Sequence, residues 1–220
     1  MYRRWTPYIY CKDNPIKFID INGDSLKVND VSQNNTATAK MDQMIDKKTN
    51  GYYKTTVDKN GNTTLTSTGK SDPKNPISNK GQAFVDQFNN LANSSDITTI
   101  NITDNDNNIL VVDPNKATID VGDLKTVDDK NLPSKSGTGI MMHEITEQRE
   151  IQNGGDGNLG HIFGIHSENV IDNSNRTNYK EGVTSSGLHV MMIDVKRSDG
   201  TMSQVLIYSK NKNVVGAIEK

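Results

Sequence analysis

Turn-forming pairs divide this chain into short pieces, and that limits its fold more than any other feature. Asn60-Gly61, Asp72-Pro73, Asn75-Pro76, Asp113-Pro114, Asn153-Gly154 and Asp199-Gly200 each favour torsions that a continuous helix or strand does not use. The pieces between them alternate in period. YYKTTVDKNGNTTLTST reads as a hairpin of β-branched runs about Asn60-Gly61, and NKGQAFVDQFNNLA, residues 79–92, sets Phe84, Val85, Phe88 and Leu91 on one helical face. Three short strands are predicted at 98–102, 108–112 and 117–121, forming an antiparallel meander or pairing with the hairpin. IMMHEITEQREI predicts a helix starting near 136–139 and ending at Asn153-Gly154-Gly155. A second helix is predicted at about 159–170, then a C-terminal hairpin about Asp199-Gly200. The class is α+β: short antiparallel strands packed with two helices and a C-terminal β-hairpin.

Composition limits the core. Only 32% of residues are hydrophobic and 5% aromatic, so 220 residues make one modest domain with an appendage. Aromatics concentrate at the start, where Tyr2, Trp5, Tyr8, Tyr10 and Phe18 fall in two short predicted strands with turns at Asn14-Pro15 and Asn22-Gly23. The expected division is a distinct segment over 1–25, an Asn-rich linker over 26–50 with one weak helical patch at 41–45, and the main domain over 51–220.

Charge and cysteine usage exclude several classes. Lys and Arg number 25 against 27 Asp and Glu, a net charge of -2 with the signs interspersed, which is no footprint for nucleic acid or an anionic membrane. Cys11 stands alone, so no internal disulfide supports the fold. No apolar run approaches the roughly 20 residues of a membrane span, and the opening residues lack the apolar core of a signal peptide.

Three of the chain's 4 histidines lie between positions 143 and 166. On a helix His143 and Glu147 are i and i+4, so both side chains leave one face a turn apart and can converge on one ion. Glu144 is placed to reach a water on that ion. This is the arithmetic of the HExxH zinc helix with glutamate in place of the second histidine. His161 would complete a set of two imidazoles and one carboxylate, which catalytic zinc accepts with a fourth position left for water. His166 is the alternative third ligand. Glu168 or Asp172 could hold the far nitrogen of a ligating imidazole, and His189, at the head of an alternating strand, reads as structural.

Two resemblances add to this. YIYCKDNPIKFIDINGDSL resembles the end of the core repeat region of RHS-repeat proteins, departing at Ile21, where that family usually has proline. In that family a variable C-terminal domain follows the core and is often a toxin in bacterial competition. The resemblance implies export as part of a larger protein and a cognate immunity protein as partner. SGTGIMMHEITEQREIQ followed by GHIFGIHSEN is similar to zincin-like metallopeptidase domains at the C-terminal ends of such proteins. That similarity implies a zincin-like fold, a protein or peptide substrate, Zn2+ as cofactor, His143 as first ligand, Glu144 as general base and Glu147 in the second-ligand position. Two other functions are weighed beside it. His161, His166, Asn169 and Asn173 loosely fit a metal-dependent nuclease toxin, though no basic stripe accompanies them. The other is a non-catalytic RHS-associated fragment.

Overall fold

The computed structural model describes residues 25–220, so the expected aromatic hairpin lies outside the described residues except for its last position. The described chain is mixed α+β, with five α-helices and strands in three sheets. The first sheet has β1 (Leu26–Asp30), β4 (Thr98–Thr103), β6 (Thr118–Asp120) and β5 (Val112–Asp113) in the order β1-β4-β6-β5. β1, β4 and β6 are parallel, and β5 runs antiparallel on the edge.

This corrects the expected meander. β4 and β6 are parallel because the residues between them turn through the short edge strand and a 3-10 turn, giving the long return that parallel neighbours require. The expected hairpin, β2 (Tyr53–Val57) with β3 (Thr63–Ser67), forms a separate two-stranded sheet.

Residues 26–50, expected as linker, are instead β1 and helix α1 (Thr36–Thr49). Met41, Met44 and Ile45 fall at i, i+3 and i+4 and are all buried, with Ala37 one turn earlier on the same stripe. The polar surface of this helix, made of Thr, Lys, Asp and Gln, masks a narrow apolar face. Helix α2 (Asn79–Ala92) takes the bounds read from its periodicity, with Ser78 accepting a hydrogen bond from the Gly81 amide as N-cap.

Helix α3 (Val121–Asp128) follows β6 directly. Its N-cap Asp120 is fully buried and accepts from the amides of Gly122 and Asp123 and from those of Asn105 and Asp106. One carboxylate thus fixes both the helix start and the loop leaving β4. Helices α4 (Gly137–Gln152) and α5 (Gly157–Asp172) come next, packed on each other.

The chain ends in an antiparallel sheet of order β10-β9-β8-β7, comprising β7 (Ser174–Val183), β8 (His189–Arg197), β9 (Met202–Lys210) and β10 (Asn213–Glu219). The expected hairpin about Asp199-Gly200 is β8–β9, extended on both sides by strands whose polar exposed faces gave no clear alternation. Ile193, Val195, Val205 and Ile207 from this sheet join Leu26, Ile100, Ile119, Phe84, Phe88 and Met142 in one core. No helix among the described residues is long and apolar enough to cross a membrane.

Candidate metal centre

The site is built on α4, and the sequence anchors that helix at both ends. Ser136 is its N-cap, accepting from the Gly139 amide at 3.0 Å. The Ser136 amide in turn donates to Asp172 at the end of α5, also at 3.0 Å. At the far end Gln152 pairs with both backbone groups of Thr99 at 2.8 Å, and Arg149 reaches Asp96 at 2.6 Å. The helix is therefore fixed in rotation, with His143 turned inward and 3% exposed.

Glycine lets α5 come close enough to complete the site. A Cβ on Gly164 would lie 2.7 Å from His143 Cδ2 and 2.8 Å from the His143 carbonyl oxygen. One turn earlier, a Cβ on Gly160 would lie 3.0 Å from the Glu147 carbonyl oxygen. The pair at i and i+4 is a smooth stripe against which the backbone of α4 rests. It carries His161 over the face that holds His143 and Glu147.

Three donor atoms then meet. His143 Nε2 is 3.3 Å from Glu147 Oε2 and 3.2 Å from His161 Nδ1, and His161 Nδ1 is 2.9 Å from Glu147 Oε2. Tetrahedral ligands about 2.0–2.1 Å from a zinc ion stand roughly 3.3 Å from one another, so this triangle has nearly the size of one face of such a tetrahedron. This group could hold a metal ion. Two imidazole nitrogens and a carboxylate oxygen suit a borderline cation, and His161, with 47% of its side chain exposed, leaves the outer side of the triangle open.

The outer contacts orient the ligands. His143 Nδ1 lies 3.0 Å from Glu168 Oε2, and a proton on Nδ1 donated to that carboxylate leaves the Nε2 lone pair facing the other two donors. Glu168 is 2% exposed and its other oxygen contacts the ammonium of Lys135, which is as deeply buried. Burial pushes the Lys135 amine down to about 7, with Asp172 pulling the other way. Burial also pushes His143 below its ordinary value, which favours the neutral, ligating imidazole.

Glu144 points elsewhere, into a cavity of about 380 Å³ lined also by His143, His161, Arg176, Tyr179 and residues 110–112 at the sheet edge. Burial, and secondarily Glu147, pushes its carboxyl up to about 8. Val111 on the edge has φ of +63°, a left-handed torsion that β-branched residues avoid. Its amide donates to the buried Asp123 at 3.0 Å, which holds the kink that turns residues 110–112 toward the cavity.

His143, Glu147 and His161 thus come together, with Glu144 beside them and Glu168 behind His143. His166 does not join them: it is exposed on the other side of α5, next to Asn169 and Asn173. Asp172 caps α4 instead of holding an imidazole, and His189 pairs with Glu181 at 3.2 Å on the sheet surface. Gly160, Gly164, Lys135 and Arg176 also belong to the surroundings of the site, beyond the residues that the motif spacing points to. The two glycines four apart were a usable signal, whereas Lys135 and Arg176 reach the site only through the tertiary fold. No protein-family model matches this sequence, and no curated protein or solved structure is similar to it.

Proposed function

We propose that this chain is a zinc-dependent peptidase of zincin-like architecture, acting as the effector domain of an RHS-type toxin. The observation that carries the reading is the donor triangle of His143, Glu147 and His161 beside a cavity into which Glu144 projects. A mixed sheet whose antiparallel edge borders the same cavity agrees with that architecture. The RHS part rests on the motif in residues 8–26 and the location of this domain after it.

Zinc, when bound, supplies Lewis acidity that polarises a carbonyl and lowers the pKa of water to about 7. His143, Glu147 and His161 would hold the ion, with Glu168 keeping the His143 ring in the tautomer that can ligate. Beside a bound cation Glu144 would be favoured in its ionised form against the burial that raises it, and that carboxylate would take the proton of the attacking water and return it to the leaving amine. The cavity walls, with Ile140, Met191, Ile193 and Ile207 among them, limit access of bulk water.

The test is hydrolysis of an unfolded protein substrate and a broad synthetic peptide pool by the zinc-loaded chain, read by mass spectrometry. Cleavage by the wild type and its loss of at least 100-fold in Glu144→Gln, with zinc content unchanged, supports the proposal. Zinc-loaded wild type that cuts no peptide, or cuts nucleic acid instead, contradicts it.

A further inference from the structure

The cavity beside Glu144 holds one cation with no assigned work. Arg176 lies near the start of β7, where the pairing with β8 shifts register between Arg176 and Asn178. In a regular strand positions 176 and 179 would face opposite sides. The bulge brings Arg176 and Tyr179 to the same side, and both line the cavity with Glu144. Bulges beside functional sites commonly re-aim a side chain in this way.

The Arg176 backbone is fixed by its amide, which donates to Asn169 Oδ1 at 2.9 Å. Its guanidinium carbon lies 4.8 Å from the centre of the Tyr179 ring, so the planar group is stacked and its rotation limited. Among the described residues the guanidinium makes no hydrogen bond and no ion pair, although it is partly buried. Glu144 lines the same cavity and attracts the guanidinium across it but forms no ion pair with it, and the other neighbouring carboxylates are engaged elsewhere. Glu181 accepts from the Tyr179 hydroxyl and pairs with His189, while Glu168 is taken by His143 and Lys135. A partly desolvated guanidinium that meets no protein acceptor is free to take a ligand, and its fork matches a carboxylate.

We propose that Arg176 binds a carboxylate of the substrate next to the donor triangle. The substrate class is then a peptide with an acidic side chain, or its own free C-terminus, within a residue or two of the bond presented to Glu144. This rests on the peptidase reading for the identity of the ligand, but the carboxylate site is testable without turnover.

The experiment uses the zinc-loaded Glu144→Gln chain and a set of alanine-based hexapeptides in which one Glu or Gln is moved through every position, each with a free or amidated C-terminus. Affinities are measured by titration calorimetry or NMR. At least one Glu peptide, or the free-ended series, is expected to bind ten-fold or more tightly than its Gln or amidated counterpart, and the two series separate a side-chain carboxylate from a terminal one. Adding Arg176→Gln is expected to reduce that ratio to within about two-fold, and Arg176→Lys, which keeps the charge without the fork, to an intermediate value. Equal binding of all pairs, or a ratio unchanged in the Arg176 variants, overturns the inference. A clear carboxylate preference in a chain whose wild type cuts no peptide leaves the inference standing and rejects the peptidase reading.

Discussion

His143 Nδ1 and Glu168 Oε2 are 3.0 Å apart, and through this contact α5 sets the tautomer of a residue on α4. Glu168→Gln should weaken zinc binding by roughly 10–100-fold, the usual effect of losing the partner of a ligating imidazole. It should also destabilise the fold by about 1–3 kcal/mol, because the buried Lys135 amine loses its carboxylate partner. The two effects separate in the double variant Lys135→Met with Glu168→Gln. Thermal melts should return most of the stability, and chelator competition should show zinc affinity still low.

The closeness of α4 and α5 depends on Gly164. Gly164→Ala should cost about 1–3 kcal/mol as an overpacked contact, and should lower zinc affinity at least ten-fold by displacing His161 from the triangle. Gly157→Ala is the control, since a Cβ there meets nothing within 4 Å and α5 gains a better helix former. Equal zinc affinity in the two variants would argue against a role for the close approach.

Asp128 gives the fold a pH dependence away from the metal ligands. Burial pushes its carboxyl up to about 6, partly offset by Lys48 and by the Gly137 and Thr138 amides that it accepts from. A folded pKa above the unfolded value of 3.8 means the native state binds the proton more tightly. The associated stabilisation is present below pH about 4 and lost as pH rises through about 6. Asp128→Asn should therefore gain on the wild type across that interval, by up to roughly 2–3 kcal/mol, as read by urea titration at several pH values. A constant difference from pH 4 to 7 would contradict this.

Glu219 behaves in the opposite sense. Hydrogen bonds from Ser134, Ser203 and Arg197 outweigh burial and hold its carboxyl down at about 2. They tie β10 to the loop just before α4. That contribution is present above pH about 4.5 and lost as pH falls through about 2. Glu219→Gln should cost roughly 2–3 kcal/mol near neutral pH, and the difference from wild type should shrink on acidification.

The helices around the site were legible because their signals are local. The Ser136 cap, the apolar stripe of Met141, Met142 and Ile145, and the stop at Asn153-Gly154 are all contained in α4 and its ends. The pairing of His143 with Glu147 follows from the same local spacing, whereas His161 and not His166 lies beside them because of which face of α5 meets α4. The sheet was harder to read. Whether β4 pairs in parallel with β1 and β6 depends on contacts between residues some seventy positions apart in the first case, as in Leu26 with Thr98, and periodicity carries no such information. Helix α1 was obscured by its polar surface, and Arg176 by a bulge that no residue type announces.

Metal content tests the central claim most directly. Chain purified without chelators and given zinc should hold one ion per molecule, with X-ray absorption showing two imidazole nitrogens and carboxylate oxygen in its shell. His143→Ala, Glu147→Ala and His161→Ala should each lose it, while His166→Ala and Glu144→Gln should keep it. No bound zinc in the intact chain, or loss of zinc in His166→Ala with retention in His161→Ala, would contradict the account.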